Sequence, residues 1–147
     1  MSTLLVQSCS KSKNSPGRAV PAIELYSGYY YKIIKKAKKE NDFRSDIDVC
    51  ILSAKYGLIE ETTRIEEYDQ RMNRERAVDL QEDVEIRLRD ILKSGEYERV
   101  IINAGQNYRV ALKQFIQNTD IDVEILHGQL GERGSVLKRL VRKSQNS

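Results

Sequence analysis

The chain is short of the residues that build metal centres. It has two cysteines and one histidine. Cys9 and Cys50 fall at no ligand spacing, and a single histidine cannot complete a tetrahedral set. No metal and no cofactor are expected. The scarcity of cysteine predicts a reducing, cytoplasmic setting with free thiols. The N-terminal Met1-Ser2-Thr3-Leu4-Leu5-Val6 has neither a basic lead nor a long apolar stretch, so it reads as a first strand rather than a leader. No apolar run approaches bilayer length, which excludes a membrane-spanning helix. An excess of one charge is missing too. The net charge is +3, and glutamates are spread between the basic clusters, so the whole surface is not a polyanion binder. Both prolines, Pro16 and Pro21, lie with Gly17 in 9–21. That segment is a long irregular loop, and such loops inside compact domains are usually functional. No internal repeat, linker or low-complexity segment interrupts the rest.

What is present suits one globular domain over residues 1–147, with 39% hydrophobic and 32% charged residues. Four apolar runs recur along the chain, at 3–8, 48–53, 99–104 and 122–126. Between them the 3.6-residue period predicts helices at about 22–40, 74–94, 107–117 and 134–143. Strands alternating with helices imply right-handed crossovers and a three-layer α/β/α sandwich around a mostly parallel four-stranded sheet. Lysines crowd the first helix (Lys32, Lys35, Lys36, Lys38, Lys39), and Lys138, Arg139, Arg142 and Lys143 crowd the last. Such clusters attract phosphate backbones, and a solvated helix face accounts for them equally.

In an open parallel sheet, ligands bind at the carboxyl ends of the strands. The segments after the four strands are Cys9–Ser15, Ser53–Gly57, Asn103–Tyr108 and His127–Gly134. Together they bring the only histidine, one cysteine and several amides, hydroxyls and glycines to one edge. Cys9 is either a nucleophile flanked by Lys11 and Lys13 or a small residue ending a buried strand. Cys50, between Val49 and Ile51, is packing. His127 precedes Gly128 and is either a proton donor or an idle turn residue. Gly128, Gly131 and Gly134 allow close approach of a phosphate or base, although no Gly-Lys-Ser/Thr follows and this is not a P-loop. Tyr26, Tyr29, Tyr30 and Tyr31 are dense enough that one can stack on a base, with Tyr26 nearest the site. Glu24 is a site carboxylate or a charge favouring a helix N-terminus. Tyr56, after the strand ending Ile51-Leu52-Ser53, either meets a ligand or packs over the sheet edge.

Cys9-Ser10-x-x-Lys13, Ala22-x-x-Leu25-Tyr26-Ser27-Gly28, Leu52-Ser53-Ala54-Lys55-Tyr56-Gly57-Leu58 and Tyr68-Asp69 together resemble an uncharacterised prokaryotic and phage domain family. More distantly, the order of elements resembles the YaaA peroxide-stress proteins and the core domain of archaeosine synthase. The chain lacks the proline that precedes the cysteine, and the Pro-Tyr that follows the lysine, in the archaeosine synthase motif. The resemblance implies a fold like that of uracil-DNA glycosylases with a site for a nucleobase or nucleic acid.

The expected partner is thus a nucleobase, nucleotide or nucleic acid, and the expected chemistry is base modification or cleavage of an N-glycosidic bond. Lys13 and Arg18 would hold phosphate, with Ser10, Tyr26, Lys55 and Gly128 around the ligand. Ser53, Tyr56 and Gly57, with Gly105 and Gln106, would read the base. Cys9 is the candidate nucleophile, and His127, Glu24 and Asp69 are the candidate acid–base groups. The alternative is a non-catalytic DNA- or RNA-binding stress-response protein that uses the basic clusters.

Overall fold

The structure, a computed structural model, describes residues 2–143. Its centre is a strand whose neighbours bury it on every side. β1 (Ser2–Ser8) pairs in parallel with β3 (Ile47–Ser53) on one flank and β6 (Tyr97–Asn103) on the other. β7 (Asp122–Ile125) extends the parallel set beyond β6. The apolar runs therefore sit in the expected strands, but the sheet has five members rather than four. β4 (Gly57–Glu60) turns back antiparallel on β3, giving the order β4-β3-β1-β6-β7. The segment Gly57-Leu58-Ile59, expected in a surface loop, is an edge strand whose three residues are buried. A two-residue ribbon pairs β2 (Val20–Pro21) with β5 (Arg64–Ile65).

Side chains alternate across the sheet with period two. Leu5, Val49 and Ile101 face a core that contains Ile34 and Ala37 of α2 (Tyr29–Lys39) and Leu137 and Val141 of α5 (Leu130–Val141). Leu4, Val6, Val100 and Ile102 face the other core, closed by α3 (Arg74–Ser94) and α4 (Gln106–Asn118). On α3 the buried residues Ala77, Leu80, Val84 and Leu88 fall at spacings of three and four, as the amphipathic pattern requires. No helix among the described residues is long and apolar enough to cross a membrane.

Two helical expectations need correction. The predicted helix over 22–40 is broken into α1 (Ala22–Leu25) and α2, because Tyr26 is extended and tied to the 9–21 loop. Lys13 bridges to Tyr26, Asn14 N–H donates to the Leu25 carbonyl at 2.7 Å, and Ser27 N–H donates to the Ser12 carbonyl at 3.0 Å. The last helix begins at Leu130 rather than at 134. A capping box between Gln129 and Glu132 starts it early. Gly131 and Gly134 are therefore helical and form no open turn.

Candidate functional site

The topology marks the place where a site is expected. β1 leads to α2 on one face, while its neighbour β6 leads to α4 on the other. Adjacent strands whose connections part in this way leave a crevice at their carboxyl ends. That crevice is a cleft of about 370 Å³ walled by Ser8, Cys9 and Ser10 after β1, and by Gly105 and Tyr108 after β6. Tyr29 and Tyr30 of α2 and Gly128, Gln129 and Arg133 at the head of α5 complete the wall. A slightly larger depression of about 440 Å³ lies between β4 and α3, but no cysteine, histidine or tyrosine lines it, and its Arg87 is paired with Asp83.

Two helix starts wall the cleft. α2 is capped by Gly28 and α4 by Gly105, and neither glycine has a side chain to accept the first-turn amide protons. Their N–H groups and the positive ends of both helices thus favour an anionic atom in the cleft. Gly28 is fixed by packing: a Cβ there would lie 2.5 Å from the Cβ of Ser10. Ser10 Oγ accepts from Gly28 N–H at 3.2 Å, and it donates to the Ser12 carbonyl at 2.6 Å. The Cys9-Ser10 and Tyr26-Ser27-Gly28 motifs are therefore two sides of one contact.

Arg133 brings a permanent positive charge. Gln7 and Asn103 face each other across β1 and β6, both buried. Arginine carries donors only, so Asn103 must present its oxygen to the guanidinium. Arg133 Nε donates to it at 2.9 Å, and Asn103 in turn donates to Gln7 Oε1 at 2.9 Å. The guanidinium also stacks 5.2 Å over the Tyr30 ring. A buried amide pair thus holds one arginine at the cleft.

Below the cleft lies a chain of hydroxyls that ends on the Cys9 sulfur. Ser53 Oγ already accepts the N–H groups of Lys55 and Tyr56, at 3.2 and 3.0 Å. Its own proton is thereby directed at Tyr68 Oη, 3.0 Å away. Tyr26 Oη lies 2.8 Å from Tyr68 Oη, with Ser53 beside it as well. Tyr68 Oη thus sits between the hydroxyls of Ser53 and Tyr26, with Cys9 adjacent. Tyr108 Oη reaches Cys9 Sγ from the other side at 2.9 Å. The Cys9 sulfur thus lies at the edge of the network, hydrogen-bonded to Tyr108 and beside Tyr68. Burial, reinforced by the neighbouring Cys9, pushes the Tyr68 and Tyr108 hydroxyls far above the ordinary tyrosine range. Burial likewise pushes Tyr26 up to about 12. All three stay protonated donors at neutral pH.

Of the expected site residues, Cys9, Ser10, Gly105 and Gly128 line the cleft. Ser53 and Tyr26 lie fully buried beneath it, within the hydroxyl chain. Lys13 sits 4.5 Å over the Tyr68 ring on the outer side of that chain. Tyr56 is half-buried, edge-on to Tyr68 with ring centres 5.5 Å apart, and its hydroxyl donates to the Glu66 carbonyl at 3.3 Å. It does not wall the cleft. Lys55 is exposed, and Gly57, at φ +74°, supplies the turn from β3 to β4. Arg76 of α3 clamps that turn through the Ala54 and Lys55 carbonyls, each at 2.8 Å. Gln106 and His127 are exposed beside the cleft residues Gly105 and Gly128. Glu24, Arg18 and Asp69 are exposed and do not wall the cleft. Sequence reasoning assigned no role to Tyr68, Tyr108, Arg133 or Gln7. Polar residues ending the two central buried strands, Gln7 and Asn103, were the available signal.

In fold, the chain is similar to AF0587, a protein of unknown function whose crystal structure it matches at a TM-score of 0.57 and 11% identity. The match covers 99% of this chain and 46% of that one, so this chain spans less than half of its neighbour's length. At such identity the likeness is one of fold alone. No curated protein matches. Residues 4–139, which include every residue of the cleft, match the family of unknown function DUF6884, and the chain belongs to that family.

Proposed function

We propose that the protein binds a nucleotide unit in the cleft between the carboxyl ends of β1 and β6 and acts on its base, by modification or by opening the N-glycosidic bond. The observation that carries this reading is the pairing of an anion site with a nucleophile in one cleft. The uncapped starts of α2 and α4 and the guanidinium of Arg133 suit a phosphate. Tyr29, Tyr30 and Tyr108 give aromatic walls to a base. A volume of about 370 Å³ is within the range of small-ligand pockets. Cys9 supplies the nucleophile: its sulfur forms a bond to an electron-poor carbon of the base, a carbon–nitrogen π pair moves onto nitrogen, and the thiol proton reaches that nitrogen by way of Tyr108. Thiol and C=N are both consumed, and nothing is oxidised. The uracil-DNA-glycosylase-like fold and the kinship to YaaA and archaeosine synthase belong to this reading, as do His127, Glu24 and Asp69 as acid–base groups.

Calorimetry with the four common nucleoside 5′-monophosphates and their nucleosides tests it. At least one monophosphate should bind, with its nucleoside weaker by about tenfold, one charge-assisted contact's worth. Arg133→Gln should remove that difference. Cys9→Ala should keep the affinity and lose any mass change in the recovered ligand. No binding by any monophosphate would sink the reading.

A further inference from the structure

The two basic clusters, far apart in sequence, share one groove. α2 and α5 pack side by side, and between them runs a depression of about 420 Å³ lined by Tyr29, Lys32, Lys36, Gly134, Lys138 and Arg142. No carboxylate lines it. The helices sort their lysines. Lys35 turns inward to donate to the Tyr26 carbonyl at 2.6 Å, and Lys38 is paired with Glu61 at 2.8 Å. Lys32 and Lys36, one turn apart, face the groove with Lys138, and none of the three has an ion pair among the described residues. Arg142 is already matched by Glu40 and Asp42, at 2.8 and 3.0 Å, and closes the far end.

The near end opens on the cleft. Tyr29 lines both cavities and is 44% exposed, although aromatic. It lies flat against α5 because position 134 is glycine; a Cβ there would collide with the Tyr29 ring and hydroxyl. From Tyr29 to Lys36 the groove runs about 10 Å, at the helical rise of about 1.5 Å per residue. An exposed aromatic followed by unpaired cations in a narrow track has the form of a single-stranded nucleic-acid path.

Building on the nucleotide reading of the cleft, we infer that the substrate is a single-stranded polynucleotide, one nucleotide seated in the cleft and the adjoining phosphodiesters running along the α2/α5 groove over Tyr29. Duplex is too wide for a track between two packed helices, and a free mononucleotide leaves the groove lysines without a role.

Fluorescence anisotropy with labelled mixed-sequence DNA and RNA strands of about ten nucleotides tests this, a length within single-strand site sizes. At least one strand should bind about tenfold or more tighter than any monophosphate. Lys32→Gln/Lys36→Gln/Lys138→Gln should weaken strand binding by about tenfold and flatten the slope of log affinity against log salt by about 2, at about 0.7 per phosphate. Monophosphate affinity should stay within about twofold, and Lys93→Gln/Lys113→Gln on the opposite face should leave the slope unchanged. An unchanged slope in the triple variant overturns the inference. So does equal binding of a duplex, of an oligoglutamate or of anionic vesicles through the same lysines. If no monophosphate binds but strands are still held through these lysines, the groove stands and the cleft reading fails.

Discussion

Removing one hydroxyl, that of Tyr68, should cost more than removing its neighbour's, because Tyr68 Oη joins Ser53 to Tyr26. In Tyr68→Phe, Tyr26 Oη loses its partner at 2.8 Å in a site with no solvent exposure. A buried group left unpaired costs about 1–3 kcal/mol. Ser53 keeps both accepted N–H bonds, but its own proton loses its acceptor, for about 1 kcal/mol more. The expected loss is about 2–4 kcal/mol, or roughly 5–15 °C in Tm for a domain of this size. In Tyr26→Phe, by contrast, Tyr68 keeps its bond to Ser53, so the loss is that of one bond, about 1 kcal/mol. The double variant removes the orphan that makes Tyr68→Phe costly. Its loss should fall short of the sum of the singles by about 1–2 kcal/mol. Urea unfolding of the four proteins, with a common m value, measures this directly. Equal losses for the two singles, or strict additivity, would refute the place of Tyr68 as the hydroxyl that joins Ser53 to Tyr26.

The same tyrosines set an alkaline limit. Their folded-state values lie above the unfolded value near 10, so their stabilisation is complete below pH 10 and is lost as the pH climbs toward 12 and beyond. Each group lowers stability by up to about 1.4 kcal/mol per pH unit in that window, and Tyr26 alone accounts for about 2–3 kcal/mol by pH 12. Stability measured from pH 8 to 12 should hold and then fall steeply above 10, and a flat profile would contradict the burial of these hydroxyls. Iodoacetamide under native conditions should modify Cys9, which lines the cleft, well before Cys50, which lies mid-strand where burial and the nearby Glu60 and Glu61 push its thiol far up. Equally slow modification of both would make Cys9 a packing residue.

The fold was legible where burial is uniform. β1, β3 and β6 are covered on both faces, so each reads as an apolar run, whereas β7, at the sheet edge, shows only the alternation of exposed Asp122 and Glu124 with half-buried Val123 and Ile125. β4 escaped because Gly57-Leu58-Ile59 continues an apolar stretch that looks like a strand trailing into a loop. Only the positive φ of Gly57, together with Ser53 Oγ holding two amides, reveals a hairpin turn. The break between α1 and α2 was hidden for a different reason. Periodicity runs through Tyr26 undisturbed, and what extends the chain there is its pairing with Lys13, 13 residues earlier in the chain but adjacent in space.

The site was legible in its address and not in its membership. Naming the carboxyl edge needs only strand order, which is why Cys9, Ser10, Gly105 and Gly128 fall in the cleft. Choosing partners for Cys9 needs distances between segments that local patterns never compare. Tyr108 is 99 positions away in the chain, yet it closes on the sulfur because β1 and β6 are neighbours. The residues that looked most chemical, His127, Glu24 and Asp69, are solvated, whereas the groups that surround the sulfur are tyrosines that read as core. A tyrosine satisfies both descriptions at once, since its ring belongs to the packing and its hydroxyl must find a partner when buried. Here three tyrosine hydroxyls and that of Ser53 gather beside a thiol that lines the cleft, whereas Cys50 lies mid-strand in the core, so the two cysteines differ in surroundings although both close or cross a buried strand.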